Sequence, residues 1–412
     1  MGLMAFLPVI ALYVRERFGI EDPAQLRFQA SVIYGAAPLA AAVVGPLWGA
    51  LGDRTGKKPM AIRANVAIAL TTLLMPLAPS PMVLLLMRIL QGVLAGYVAP
   101  AMSLVAQGTP AGQQGSTIAK LQVAMATGSF LGPWIGAEVT VLFGRSSLFY
   151  VASALSAYAA LHLHLFAHEE RVVPAPNARS FVRTFVQASF GLLRQPAIGI
   201  LLLLLLLLRL GQNMAEPMLS LLVRDLGAWS VLESISDTAA QALERTIALP
   251  FALLAVAQWV CTPWWGRMAD RHGPLRCLAF LAVGLGVAQF AMAMVTTIGQ
   301  FLAVRCVVAC LMAGSMTLAY AAASKRVTDQ NRTLAFAMVQ SCIQYGLALG
   351  PLLGAVVAGQ EAGAASFGPV FMLGASLCLV AGLSMLVLRA ATAGRPTSPA
   401  STPPDAGSSV GG

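Results

Sequence analysis

The chain contains one short signature twice, and the two copies lie 217 residues apart. The first copy, GALGDRTGKK, begins at Gly49, and the second, GRMADRHG, begins at Gly266. Each copy lies between long apolar stretches. A single arginine inside an apolar run repeats at the same spacing, as Arg88 and Arg305. Repetition of this kind is typical of membrane proteins built from two related halves with a binding site between them.

The composition requires lipid around much of the chain. Of its 412 residues, 58% are hydrophobic and 10% are charged, and the mean hydropathy is +0.77. A soluble domain carries about 25% charged residues, so a fold surrounded by water cannot bury this much apolar surface. The net charge of +10 comes from bases scattered singly at the ends of apolar runs, where they orient a membrane protein. We therefore expect no nucleic-acid partner.

The sequence offers no site for a metal or a nucleotide. All six cysteines fall in the second half, within or beside apolar runs, without a Cys-x-x-Cys pair or a Cys/His cluster. Disulfides and metal ligation are therefore not expected. The phosphate-binding pattern Gly-x-x-x-x-Gly-Lys-Ser/Thr is absent as well, so ATP is not expected to act directly. We predict that the protein works without a cofactor and without an obligate protein partner.

Apolar stretches of about 20 residues, long enough to cross a bilayer, predict an all-α polytopic membrane protein with two pseudo-symmetric six-helix bundles. The first bundle occupies residues 1–167 and the second residues 197–390. A polar linker, 168–196, separates them, and the Pro-, Ser- and Gly-rich tail, 391–412, is expected to be disordered and cytoplasmic. The helices are predicted near 1–15, 28–51, 59–78, 82–106, 117–142 and 146–167, and near 197–223, 246–269, 275–295, 299–323, 333–358 and 366–389.

The distribution of bases predicts the orientation in a bacterial inner membrane. Placing both termini in the cytoplasm puts most lysines and arginines on that side, as the positive-inside rule requires. The first helix is short, because Pro8 to Arg15 match Pro217 to Arg224 and the seventh helix begins well before the position equivalent to Met1. We expect the first helix to be truncated, by a misplaced start or because the sequence is a fragment. A signal peptide explains this poorly, since no basic region precedes the apolar run.

Several motifs resemble the major facilitator superfamily and, within it, the twelve-helix drug:proton antiporters. The segment GALGDRTGKK is similar to the signature between that superfamily's second and third helices, and RILQG at Arg88 is similar to its fourth-helix signature. The segment GSFLGPWIG, from Gly128, is similar to a fifth-helix signature associated with exporters. The resemblance covers about residues 5–390. It departs from the family pattern in the short first helix, at Pro274 in the second loop, and at Glu216.

The two signature loops carry the residues of a candidate conformational latch. Their glycines permit close helix approach and a tight turn, and an aspartate can accept hydrogen bonds at a helix N-terminus. The resemblance implies that the first aspartate joins the two halves near the eleventh helix and holds an outward-facing state. The alternative is that these charges only fix the topology. The residues are Gly49, Asp53, Arg54 and Gly56 in the first loop and Asp270 and Arg271 in the second.

Glycines and a proline form a small-residue face in the fifth predicted helix, and the pattern repeats in the eleventh. Proline removes one backbone hydrogen bond and bends a helix, while glycines allow another helix to approach closely. We expect a hinge and tight contact along the surface between the halves, which the resemblance links with antiport; simple packing is the alternative. The residues are Gly128, Gly132, Pro133 and Gly136, repeated as Gly350, Pro351 and Gly354.

Two charged residues outside the seventh helix are candidates for proton coupling. Arg88 lies several residues inside an apolar span, where a charge costs about 2.5–3.5 kcal/mol, and the resemblance implies a coupling role for it. The alternative is an arginine whose side chain reaches the outer interface. Glu138, near the outer end of the fifth helix, is the second candidate, with plain solvation as the alternative. Trp134, beside Pro133, is a candidate apolar contact for the substrate.

The seventh predicted helix carries a polar stripe of Arg209, Gln212, Asn213, Met214 and Glu216 between apolar residues. Seven residues make almost two helical turns, so the two charges share one face with the amides between them. Such a stripe cannot face lipid, and we expect it to line the substrate cavity at the membrane midplane. Because burial favours the uncharged form of a carboxyl group, Glu216 is the best candidate proton carrier. A purely structural Arg–Glu pair is the alternative.

Together these features predict a proton-coupled secondary transporter that exports drugs or other apolar or amphipathic small molecules by alternating access. Its partners would be the small-molecule substrate, protons and the lipid bilayer. The nearest alternative is a permease of the same superfamily for a specific metabolite, acting in either direction. An intramembrane enzyme or sensor would need a catalytic dyad or a metal cluster within the spans. The sequence offers neither, so an enzyme is not expected.

Overall fold

The computed structural model describes residues 9–95, 114–167, 169, 187, 190–234, 236, 238–327, 332–358 and 363–393. Within these ranges the regular secondary structure is entirely helical. The predicted all-α architecture is confirmed.

Each half of the described chain contributes six longer helices. In the first half they are α1 (Ile10–Phe18), α2 (Pro23–Thr55), α3 (Lys57–Leu74), α4 (Pro81–Leu94), α5 (Gln114–Phe143) and α6 (Ser147–Phe166). In the second half they are α7 (Pro196–Asn213), α8 (Ala239–His272), α9 (Pro274–Ala293), α10 (Ile298–Ser324), α11 (Arg332–Val357) and α12 (Gly368–Ala393).

The surface of this bundle is suited to lipid. Among the described residues, nine helices are long and apolar enough to cross a membrane. Large apolar side chains point outward along them, and Val356 and Val387 are 73% and 69% exposed. A water-soluble protein rarely exposes apolar surface so continuously. The protein is therefore a multi-pass membrane protein, as predicted.

The ends of the predicted segments fall largely outside the described residues. The helix α6 ends at Phe166 and α7 begins at Pro196. Most of the predicted linker at 168–196 lies outside the described residues, so its limits stay a prediction. The last helix continues to Ala393, four residues past the end predicted at 389, and the tail beyond it lies outside the described residues. Residues 1–8, on which the predicted truncation depends, also lie outside them.

The seventh span is broken, which differs from the continuous helix predicted at 197–223. The helix α7 ends at Asn213, a bend follows, and a 3-10 turn runs over Glu216–Met218 before a second helix, Leu219–Leu226. Pro217 explains the break, because proline has no N–H for the helical ladder and its ring collides with the preceding turn. The bend changes the direction in which Glu216 projects relative to the residues of α7.

The duplication is visible in single hydrogen bonds. Trp48 Nε1 donates to the carbonyl of Val93 at 2.5 Å, and Trp265 Nε1 donates to the carbonyl of Cys310 at 2.9 Å. The first bond ties α2 to α4, and the second ties α8 to α10. Both tryptophans and both acceptors are separated by the same 217 residues as the signature loops. The two halves therefore share one scaffold.

Helix starts repeat in the same way. Gly56 precedes α3 with φ of 101°, and Gly273 precedes α9 with φ of 87°, a conformation that residues with a side chain adopt at a cost. Ser80 and Thr297 cap α4 and α10. Each hydroxyl accepts a hydrogen bond at 3.4 Å from the backbone N–H three residues later.

The halves pack against each other along two helix pairs, α2 with α11 and α5 with α8. In the first pair the backbones approach very closely, because a Cβ atom on Gly35 would lie only 2.5 Å from the carbonyl oxygen of Ala348. The functional side chains described below lie beside these two pairs.

Candidate functional site

A buried ion pair lies where the seventh span is broken. Arg305 Nη2 on α10 donates to both carboxylate oxygens of Glu216, at 2.9 and 3.2 Å. Arg305 is 5% exposed and Glu216 is 7% exposed. Removing one member of such a pair leaves an uncompensated charge away from water, which is strongly unfavourable. The two side chains are therefore expected to change their ionisation or position together.

This pairing corrects the interpretation made from spacing alone. We predicted that Arg209 and Glu216 belong together on one helical face. Because the helix ends at Asn213, that face does not continue to Glu216, and the carboxylate reaches the neighbouring α10 instead. The predicted burial is confirmed, since Arg209 and Gln212 are 8% and 4% exposed.

A narrow cavity adjoins the ion pair inside the second half. The space is about 20 Å³, room for roughly one water molecule. Its lining includes both polar and apolar residues. Its lining comprises Gly211, Gln212, Met214, Ala215, Glu216, Gln289, Met292, Arg305, Val308, Val370 and Phe371. The carboxylate of Glu216 therefore borders a space large enough for about one water molecule.

Arg88 occupies the equivalent place in the first half. Its Nε donates to the carbonyl of Ile33 at 3.1 Å, its Nη2 to the carbonyl of Tyr34 at 3.2 Å, and its Nη1 to Gln91 Oε1 at 2.5 Å. Gln91 in turn donates to Thr72 at 2.8 Å. Since Arg88 is only 2% exposed, its guanidinium does not reach a membrane interface.

Tyr34 on α2 joins the two arginine sites, and sequence reasoning missed it. Its carbonyl accepts the hydrogen bond from Arg88. Its phenol lies within electrostatic range of Glu216, Arg88 and Arg305, and α2 packs directly on the 3-10 turn that carries Glu216. No sequence motif marks this tyrosine. Only the approach of the two halves brings it to the buried carboxylate.

The remaining polar residues of α7 form a second group. Arg209 Nη1 donates to Gln212 Oε1 at 3.2 Å, and Asn213 Nδ2 donates to the carbonyl of Arg209 at 2.7 Å. Met214, which we assigned to the substrate cavity, is 1% exposed and lines the small cavity beside Glu216. Trp134 is 39% exposed and is not among the residues that line it.

A cluster of ion pairs links the halves at the end of the bundle where α5 finishes. Arg245 of α8 binds the carboxylate of Glu138 with Nε at 2.9 Å and Nη2 at 3.0 Å. Arg145 contacts both Glu16 and Glu244. We call these five residues the Arg145 cluster. Glu138 is therefore not simply solvated, because it forms a bidentate bridge from the first half to the second.

The signature loops lie at the opposite end of the bundle. Gly56 of the first loop and Gly273 of the second make the positive-φ turns described above. Asp270 and Arg271 are exposed at the end of α8. Gly49, Asp53 and Arg54 lie in the last turns of α2, and their side chains are not among those described. The N-terminus of α3 is capped by Glu169, which accepts from the N–H groups of Lys57 and Lys58 at 2.5 and 3.0 Å. The latch role stays a prediction.

The two glycine faces have different neighbours. In α5, Gly128, Gly132, Pro133 and Gly136 are buried, and this helix packs on α8 across the halves. In α11, the glycine face packs on α7 within the second half, and not between the halves as we expected. A Cβ on Gly350 would lie 2.9 Å from the carbonyl of Leu210, and one on Gly354 would lie 2.3 Å from that of Met214. Pro351 is buried beside them.

Transporters are among the solved structures with a similar fold. The structure of the nucleoside transporter NupG (D323A mutant) has a TM-score of 0.75, covering 94% of this chain and 97% of that one at 13% identity. A POT family transporter in complex with a thioalcohol-conjugated peptide has a TM-score of 0.74, covering 95% and 93% at 12% identity. At these identities the likeness concerns the fold alone.

Sequence relatives are closer. Multidrug resistance protein MdtG of Proteus mirabilis (strain HI4320) is 28% identical over 360 residues, which cover 87% of this chain and 85% of the relative. MdtG of Dickeya zeae (strain Ech586) is 29% identical over 382 residues, covering 91% and 87%. A multi-drug resistance efflux pump PmrA homolog of Lactococcus lactis subsp. lactis (strain IL1403) is 24% identical over 354 residues, covering 86% and 84%.

The profile of the Major Facilitator Superfamily matches residues 1–236 and again residues 201–409. The two matches follow the two halves seen in the repeated hydrogen bonds of Trp48 and Trp265. This chain belongs to the Major Facilitator Superfamily and is a membrane transporter of that family.

Proposed function

We propose that this protein is a proton-coupled exporter of drugs or other amphipathic small molecules, working by alternating access in a bacterial inner membrane. The observation that carries the proposal is the buried Arg305–Glu216 pair at the break in the seventh span. The similarity to multidrug resistance proteins supports the substrate class and the direction. A permease for a single metabolite remains the rival, and the experiment below separates the two.

Glu216 can couple a proton to a change in structure through Arg305. While Glu216 is ionised, Arg305 binds both of its oxygens. Protonation removes the negative charge and leaves the buried guanidinium without its counter-charge, which is unfavourable. The site then favours an arrangement in which Arg305 finds another acceptor or water. Proton binding thereby selects one conformation over the other.

Tyr34 connects this event to the first half. Its phenol lies near the ion pair, and its backbone carbonyl accepts from Arg88. A change at Glu216 therefore alters the contact between α2 and the 3-10 turn, which belong to different halves. This is the contact that alternating access requires, because the two halves must rotate against each other around the central site.

The Arg145 cluster supports a closed arrangement at one end. Its bridges from Glu138 to Arg245 and from Arg145 to Glu244 cross between the halves. With both termini in the cytoplasm, this end faces the outside of the cell. The conformation described here would then be closed to the outside, and export would require these bridges to separate.

The test is transport in proteoliposomes that contain the purified full-length protein. Cationic and anionic amphipathic dyes are added to the proteoliposomes, and a pH gradient is imposed across the membrane. We expect the gradient to drive accumulation of several unrelated dyes. A Glu216→Gln variant should lose this driven accumulation while it keeps gradient-independent exchange of labelled for unlabelled dye.

The matched control is Glu233→Gln, which removes an exposed carboxylate outside the spans and should leave both activities unchanged. Full gradient-driven transport by Glu216→Gln would contradict the assignment of the proton carrier. Transport restricted to one compound in the panel would favour the metabolite permease.

A further inference from the structure

Arg209 is a buried cation whose charge is not balanced within the described part of the chain. It is 8% exposed, and one guanidinium nitrogen donates to Gln212 at 3.2 Å. The other terminal nitrogen, Nη2, is buried and has no hydrogen-bond acceptor. The Nε2 amide of Gln212, which is 4% exposed, also lacks a partner. Two adjacent donors are thus buried without acceptors.

The carboxylate that the sequence places nearest cannot serve Arg209 in this conformation. Glu216 is bound by Arg305 through both oxygens, and none of the salt bridges among the described residues includes Arg209. The groups within electrostatic range of its guanidinium are Tyr320 and Cys342, both neutral in their ordinary protonation states. Burial of an unpaired cation is strongly unfavourable. The arrangement is complete only when an anion is added.

The neighbours of Arg209 are tightly packed on one side and only partly buried on another. Its backbone packs against Gly346 of α11 so closely that a Cβ there would lie 2.4 Å from Arg209 Cβ. Beyond the guanidinium, Tyr320 donates to Gln340 at 2.7 Å and packs edge-on against Phe336, with ring centroids 5.2 Å apart. These three side chains are only partly buried. Because an amide and a phenol are costly in lipid, we expect these side chains to face water or a ligand.

We propose that Arg209 and Gln212 bind the acidic group, a carboxylate or a phosphate, of the transported molecule. Arg209 Nη2 and Gln212 Nε2 supply two donors that have no acceptor in this conformation. The aromatic edges of Tyr320 and Phe336 form the apolar wall for the rest of the molecule. This inference rests on the proposed function, since it names a substrate class for the same transporter: amphipathic acids.

The binding test needs no proton gradient and therefore stands apart from the transport test. Radiolabelled naphthalene-2-carboxylate is titrated into the purified full-length protein, and its neutral analogue naphthalene-2-methanol is titrated in parallel. The acid should bind the parent, and Arg209→Gln should weaken it about 10- to 150-fold, the range for losing a hydrogen bond to a charged group. The alcohol should bind both proteins equally. Arg267→Gln, which removes an exposed arginine at the end of α8, should behave as the parent.

A second variant covers the case in which Arg209→Gln does not fold. Gln212→Glu places a carboxylate beside Arg209 and supplies the missing anion from within the chain. We expect this variant to unfold at a higher temperature than the parent and to lose affinity for the acid. Retained acid binding in Gln212→Glu, or equal binding of acid and alcohol by the parent, would overturn the proposal.

Inorganic anions distinguish the possible sources of the anion that Arg209 binds. If chloride or inorganic phosphate raises the unfolding temperature through Arg209 while the naphthalene acid does not bind, the site holds an inorganic ion and the substrate assignment is wrong. Acid binding that depends on Arg209, in a protein that shows no gradient-driven transport, would leave this site standing and reject the proposed function. Gradient-driven transport of neutral dyes by a protein that does not bind the acid would support the proposed function and reject this site.

Discussion

Arg88 in the first half and Arg305 in the second hold the same place in the duplicated scaffold but bind different partners. Arg88 Nε donates to the carbonyl of Ile33 on α2 at 3.1 Å. In the same way, Arg305 Nε donates to the carbonyl of Pro250 on α8 at 3.4 Å. The described acceptors of the other nitrogens of Arg88 are neutral amide and carbonyl oxygens. In Arg305, by contrast, Nη2 donates to the carboxylate of Glu216.

The difference shows how one scaffold can carry two functions. A carbonyl oxygen keeps its charge distribution at any physiological pH, whereas a carboxylate can be neutralised by one proton. Under the proposed mechanism the first half therefore provides a fixed contact and the second half provides the proton-sensitive one. Four substitutions can test this difference between the halves.

Arg305→Gln is expected to have the largest effect. It leaves the carboxylate of Glu216 buried without its cation, which lowers the free energy of unfolding by about 3–5 kcal/mol. Chemical or thermal unfolding of the purified protein measures this. The double variant Arg305→Gln with Glu216→Gln removes both charges and should recover most of the loss. A single variant as stable as the parent would show that the pair is not buried as described.

Arg88→Gln should be less harmful than Arg305→Gln. Its loss removes donors from the carbonyls of Ile33 and Tyr34 and from Gln91, at about 1–3 kcal/mol, and none of these three described acceptors is a carboxylate. The same unfolding measurement applies. If Arg88→Gln proved the more destabilising of the two, the comparison between the halves would be reversed, and the proton-sensitive contact would belong in the first half.

Tyr34→Phe should affect coupling more than stability. It removes one hydroxyl near the ion pair and keeps the backbone acceptor for Arg88, so the free energy of unfolding should change by about 1 kcal/mol. Gradient-driven dye transport should fall, while exchange without a gradient should persist. Tyr150→Phe is the control, because that residue is 46% exposed. Equal loss of driven transport and exchange would assign Tyr34 to substrate binding instead.

Glu138→Gln should have the smallest effect on stability, about 0.2–1 kcal/mol, because the Glu138–Arg245 bridge is partly exposed. It should still favour separation of the halves at the Arg145 cluster. Hydrogen–deuterium exchange at the adjoining ends of α5 and α8 should accelerate in the variant, and added salt should reproduce part of the change in the parent. Unchanged exchange would show that other contacts hold this end closed.

The scaffold was largely predictable because periodic features encode it. Apolar runs predict spans, and the 217-residue repeat predicts two equivalent halves. The repeated tryptophan bonds and helix caps follow from that repeat. Burial of Arg209, Gln212 and Glu216 was predictable as well, since charges and amides in a long apolar stretch cannot face lipid.

The partners within the site were not predictable. Glu216 and Arg305 are 89 residues apart, and their pairing depends on a helix break whose direction Pro217 permits but does not fix. Tyr34 carries no motif, and its role arises from the contact between the halves. The spacing of the glycines in α11 predicts a face of small residues. It does not predict which helix packs on that face, which could have been α7 or a helix of the other half.

The glycines of α11 also limit how the molecule can move. Gly346, Gly350 and Gly354 recur at every turn and bring the backbone of α7 to within atomic contact. Two helices joined without intervening side chains have little freedom to slide or separate, so α7 and α11 should travel as one rigid unit. Any flexibility of the seventh span is then expected beyond Met214, in the turn that carries the carboxylate of Glu216.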